Sequence, residues 1–159
     1  MENKPDAAES LFLRGYNCSQ SVLAAFADDA GLDRDTALRL ASSFGGGMGR
    51  LREVCGAVSA MFMVAGLKYG YTDSHDGPAK TRHYQLIQDL AERFRRENGS
   101  IVCRELLGLP AGPDSPAPEA RTQTYYNQRP CAELVKSAAK ILQDYMEERE
   151  NENSASDRG

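Results

Sequence analysis

Apolar residues recur every third or fourth position along nearly the whole chain, and no run alternates polar with apolar as a half-buried strand must. Ala8, Leu11 and Phe12 open the first stripe, which pauses at Gly15-Tyr16-Asn17 and resumes with Cys18, Val22, Ala25 and Phe26. Gly15 suits the left-handed position after a helix end. Asn17, followed by Gln20, spells a capping box with Cys18 as the first helical residue. Asp33 is placed to cap a third helix with Ala37, Leu40, Ala41 and Phe44 inward, ended by Gly45-Gly46-Gly47. Beyond Met48-Gly49-Arg50 an apolar helix carries Val54, Cys55, Val58, Met61, Phe62 and Ala65, stopped by Gly70 or by Asp76-Gly77-Pro78. The spacing then predicts an amphipathic helix over 79–98 with Tyr84, Ile87, Ala91 and Phe94 inward, and Ser100 as cap of a short helix holding Cys103, Leu106 and Leu107.

Five of the seven prolines fall between 110 and 130, which marks an extended loop. One helix follows it, with Cys131, Leu134, Val135, Ala138, Ile141, Leu142 and Tyr145 on one side, too little for a second core. The expected class is therefore all-α: a compact single-domain bundle of about six or seven helices over residues 6–146, with the Pro-rich loop 110–130 before the last helix. The charged, Ser/Asn-rich tail 147–159 is expected to be disordered. A chain of 159 residues is long enough to fold around one core without staples.

Lys and Arg are scattered and the net charge is −4, so no basic footprint for nucleic acid or anionic lipid exists. The longest uncharged stretch, Val54 to Leu67, is too short to cross a hydrocarbon core of about 30 Å. It is apolar on nearly all sides, which suits a homo-oligomer as well as a monomer. The polar opening Met1 to Asp6 lacks the order of a secretory signal, and a cytoplasmic location is expected. In that setting Cys18, Cys55, Cys103 and Cys131 read as free, catalytic or metal-binding rather than as structural bridges.

The cysteine spacings are 37, 48 and 28 residues, with no Cys-x-x-Cys pair, which excludes the usual zinc-ribbon and thioredoxin signatures. What the four share is position: each falls at or near the start of a predicted helix, where unpaired N–H groups and the positive dipole end favour a thiolate. Arg50 and Arg52 are expected to lower Cys55 further. The plainer reading is that buried cysteines simply fill a core, as the apolar stripes through Cys18, Cys55 and Cys131 allow.

The stretch Ser43-Phe44-Gly45-Gly46-Gly47-Met48-Gly49-Arg50 leading into Cys55-Gly56-Ala57-Val58-Ser59-Ala60, together with Gly15-Tyr16-Asn17-Cys18-Ser19-Gln20 and two later lone cysteines, resembles the C-GCAxxG-C-C family. The resemblance runs from about residue 8 to 145 and matches all four cysteines; Ala60 stands where the motif has glycine. It implies a small redox-active protein with Cys18, Cys55, Cys103 and Cys131 as its functional residues, and implies no substrate.

The glycine run lacks the lysine of a P-loop, so it reads as a turn that ends one helix and brings backbone close beside Cys55. His75 reads as a solvated turn residue and His83 as the edge of a helix stripe, with a role as metal ligand the lesser reading for both. Tyr125 and Tyr126 read as anchors of the long loop. Two functions remain open. In the first, a thiolate, with Cys55 the leading candidate, exchanges with a small thiol or disulfide or a redox partner protein, and another cysteine resolves the mixed disulfide. In the second, the four thiolates hold zinc or an iron–sulfur cluster, without catalysis.

Overall fold

The computed structural model describes residues 3–158; Met1, Glu2 and Gly159 lie outside it. Among the described residues eight α-helices account for the architecture: α1 Lys4–Leu13, α2 Cys18–Ala25, α3 Arg34–Ala41, α4 Gly56–Tyr69, α5 Gly77–Asn98, α6 Cys103–Leu107, α7 Gln123–Gln128 and α8 Cys131–Arg158. Among the described residues there is no strand, only an isolated antiparallel bridge between Val54 and Val102. The class is all-α, and no described helix is long and apolar enough to cross a membrane.

The central helix is α4. Ala57, Val58, Ala60, Met61, Val64 and Ala65 are fully buried, and α2, α5 and α8 cover it within the one chain. Around it Phe12 of α1, Phe26 after α2, Phe94 of α5 and Leu142 of α8 complete one continuous core. Each such large side chain contributes about 1.5–3 kcal/mol by leaving water.

Local signals set most helix starts. Asn17 and Gln20 form the full capping box, Asp33 accepts from the Thr36 amide, and Asp76 accepts from the Ala79 amide just before Pro78. Ser100 does not cap α6: its hydroxyl accepts from the Val102 amide, and α6 begins at Cys103 with no side-chain cap, because the bridge to Val54 already sets the chain's direction there. Two expected inward residues face solvent. Leu40 is 46% and Tyr84 53% exposed, since α3 and α5 each pack along a narrower stripe, with Leu90 taking the buried position on α5.

The last helix does not stop before the charged tail. α8 continues to Arg158, and its extension is first pinned by Arg93, which donates to both carboxylate oxygens of Glu148 at 3.0 Å, and by Arg149, which lies over Tyr69 and donates to the Tyr145 hydroxyl. The Pro-rich segment likewise contains one helix, α7, started by the Thr122 side chain, which accepts from the Tyr125 amide.

Candidate functional site

Between α3 and α4 the chain takes a path that few sequences permit. A short 3₁₀ turn, Ser42–Phe44, leads into residues 45–52, where Gly46, Gly47, Met48, Gly49, Arg50 and Arg52 all have φ between +61° and +69°. For Met48, Arg50 and Arg52 this hand costs about 1–2 kcal/mol each. It is held by backbone bonds: the Gly49 amide donates to Gly45 O at 3.0 Å, the Glu53 amide to Gly47 O at 2.9 Å and the Arg52 amide to Gly46 O at 3.3 Å. Such stored strain is a feature of built sites.

Three links bring the cysteines to this turn. The bridge comes first: the Cys55 amide donates to Ile101 O at 2.8 Å and the Cys103 amide to Glu53 O at 2.6 Å, which joins two cysteines 48 positions apart. Second, Gly47 leaves room for Cys103. A Cβ there would lie 2.6 Å from the Cys103 Cβ and 2.9 Å from the Arg52 Cα. Third, Gly56 leaves room for Cys18, since a Cβ on it would stand 2.5 Å from Sγ. The glycine turn thus lies against Cys103 at Gly47 and turns the Gly46 amide to the Cys18 sulfur, and it lines the same cavity as Cys55, which sits buried just before α4.

All four thiols are free and all four line one cavity of about 310 Å³, with Arg52, Arg121, Tyr125, Arg129 and Leu134 among the other walls. The opening residues Cys18 of α2, Cys103 of α6 and Cys131 of α8, and Cys55 just before α4, therefore converge. The expected lowering of thiol pKa does not hold at Cys18, Cys55 or Cys131. Burial raises Cys18, against the pull of the Gly46, Ser19 and Gly56 amides. Burial raises Cys55 well above its ordinary range, with the charge of Cys18 adding to it. Cys131 is pushed up to about 12, again by burial first and by Cys18 and Cys103 next. Removal from water outweighs the helix dipole at these three sulfurs. Cys18 is the strongest sulfur neighbour of both Cys55 and Cys131, and it also interacts with Cys103.

The arginines serve a different thiol from the expected one. Arg52 is only 5% exposed; its Nη1 donates to Sγ of Cys103 at 3.6 Å and its Nη2 to Asp114 at 3.0 Å, while Nε has no partner. Arg52 holds the Asp114 carboxyl below the usual carboxylate range. Arg50 turns away from the sulfurs to Asp114, Glu119 and the Ser115 carbonyl, fastening the Pro-rich loop onto the glycine turn.

Residues of that loop which composition passed over form the opposite wall. Arg121 donates to Phe12 O at 2.9 Å and Tyr16 O at 3.0 Å and stacks on Phe12; Arg129 pairs with Glu119 at 2.9 Å. Tyr126 does anchor the loop, edge-on to Phe12, whereas Tyr125 lines the cavity with Cys131. Its own hydroxyl is pushed up to about 12, mostly by burial. The available signal was an arginine, a tyrosine pair and a second arginine in a segment otherwise too polar to need them.

Neither histidine reaches the cavity. The His75 side chain is 95% exposed, and His83 packs edge-on to Tyr71 in a separate depression. Among the described residues no three of His, Cys, Asp and Glu are grouped to hold a metal ion.

No curated protein and no solved structure matches this chain. One family model does, across residues 16–145, a span that takes in the glycine turn and all four sulfurs. By that match the chain belongs to the family described as "Putative redox-active protein (C_GCAxxG_C_C)".

Proposed function

We propose that this member of a redox-active family works by thiol–disulfide exchange inside the cavity its four cysteines line. The observation that carries the reading is their convergence: four free thiols from four separated segments share one small cavity and interact electrostatically. Cys103 is the thiol best fitted to attack, because a buried guanidinium donates to its sulfur and favours negative charge there. Its thiolate attacks one sulfur of a disulfide RSSR, the S–S bond breaks, and RS⁻ leaves with the mixed disulfide formed. Cys18, which interacts with every other sulfur, gives up its proton and attacks the Cys103 sulfur, releasing the second RS⁻. Two protein thiols and RSSR become one protein disulfide and two RSH. Cys55 and Cys131 are reserve partners to which Cys18 can pass the bond. The partner is a small thiol or disulfide, or a redox protein, and a reducing cytoplasmic setting would return the four thiols to their free state.

Equilibrating the reduced protein at graded glutathione poise, trapping thiols and mapping them tests this. Two thiols should disappear together, paired as Cys18 with Cys103, and Cys18→Ser should abolish every internal pairing. Four thiols unchanged across the range would overturn the reading.

The same convergence favours a second reading, a Cys₄ zinc or iron–sulfur module without catalysis. The side chains would then have to draw inward from their present positions. Stoichiometric metal in anaerobically purified protein supports this reading; metal-free protein with exchanging thiols supports the first.

A further inference from the structure

We infer that the cavity is shaped for a small disulfide or thiol bearing carboxylates, with Arg121 as the group that receives the negative charge. The inference rests on the disulfide-exchange reading and adds the class of substrate. Four arginines, Arg50, Arg52, Arg121 and Arg129, line the cavity. Among the described residues only two carboxylates answer them, and each is shared: Asp114 with Arg50 and Arg52, Glu119 with Arg50 and Arg129. A local excess of two positive charges therefore sits on a chain whose net charge is −4.

The excess is located on particular atoms. Arg121 has no carboxylate partner among the described residues; its two terminal nitrogens each donate to one backbone carbonyl, and its other N–H groups are uncommitted. Independently, Arg52 is buried with its Nε–H unpartnered. The buried Arg52 Nε–H is costly until an acceptor meets it, and the Arg121 fork matches the two oxygens of a carboxylate. A volume of about 310 Å³ suits a small molecule and not a folded partner. An anion held at Arg121 lies within the same enclosure as all four cysteines and Tyr125. Each turnover takes two electrons from two protein thiols and returns the disulfide as two carboxylate-bearing thiols.

The test is oxidation of the reduced full chain by three symmetric disulfides: dithiodipropionate (dianionic), hydroxyethyl disulfide (neutral) and cystamine (dicationic). Each rate is divided by that of the same disulfide with a free small thiol. The dianion should exceed the neutral compound by about tenfold and cystamine should be slowest, with the gap closing as salt is raised. In Arg121→Gln the dianion-to-neutral ratio should fall toward one, and Arg121→Lys should retain most of it. Salt dependence of the unaltered protein decides the matter even if a variant does not fold. Equal, salt-independent rates for the three would overturn the anionic site and leave exchange standing; no oxidation by any of them would overturn both.

Discussion

Cys131 is pushed up to about 12 above all because it is taken out of water, with the charges of Cys18 and Cys103 adding and Arg129 and the Tyr125 hydroxyl pulling the other way. The unfolded chain would titrate this thiol near its ordinary value of 9.0. The folded state therefore holds the proton more tightly, and the resulting stability is complete below about pH 9 and is lost as pH rises toward 12. Urea unfolding of the reduced protein should show stability falling between pH 8.5 and about 11, and Cys131→Ser, which has no thiol to titrate, should fall less over the same interval. The sequence could place Cys131 at a helix entry, because Pro130 and the apolar stripe after it are local signals. It could not weigh burial against the helix dipole, because the cavity around the sulfur is completed by Cys18, Cys55 and Cys103, all remote in sequence.

Asn17 shows what an element's first turn does for the site. Its side chain accepts from the Gln20 amide at 2.8 Å while its Nδ2 donates to Ser42 O at 3.2 Å, so one residue starts α2 and ties it to the turn before the glycines. Asn17→Ala should cost about 1 kcal/mol from the lost cap alone, and Cys18 should alkylate faster as α2 frays; an unchanged alkylation rate would separate the cap from the site. This cap, like that of Asp33, was legible because a capping signal needs only three residues of context; Asp76, which caps α5, reads in the sequence only as part of the turn that stops α4. The Ser100 cap failed for the complementary reason: the Val54–Val102 bridge, formed across 48 positions, sets the start of α6. Leu40 and Tyr84 were misplaced likewise, since a stripe tells which residues are apolar but not how wide a neighbour will cover them. At the far end of α8, residues 151–158 are exposed throughout. Removing 151–159 should leave the thermal midpoint within about 2 °C, a shift worth less than about 1 kcal/mol for a chain of this size.

Across the whole molecule, four segments far apart in sequence bring a cysteine each to one cavity. A Cys18–Cys103 bond would close a loop of about 85 residues, which in the chain-entropy picture stabilises the fold by about 4.6 kcal/mol. The oxidised protein should therefore melt roughly 10 °C above the reduced one; an equal or lower midpoint would mean that oxidation distorts the cavity. The all-α class and the single core were readable at this scale because period and length are properties of the entire chain. The cavity was not, since its charged wall comes from the Pro-rich loop, whose order depends on salt bridges from Arg50 and Arg52 to Asp114 and Glu119 rather than on any periodic pattern.

The left-handed turn over 45–52 also constrains evolution of the gene. Surface connections ordinarily drift in length, since a residue more or less only lengthens an arc in solvent. Here each residue advances the backbone by a fixed rotation, so a one-codon insertion or deletion would swing the Arg52 guanidinium off the Cys103 sulfur and bring a Cβ into the space that Gly47 leaves open. A change of side chain at Leu51, exposed and outside the left-handed region, is tolerated; a change of length is not.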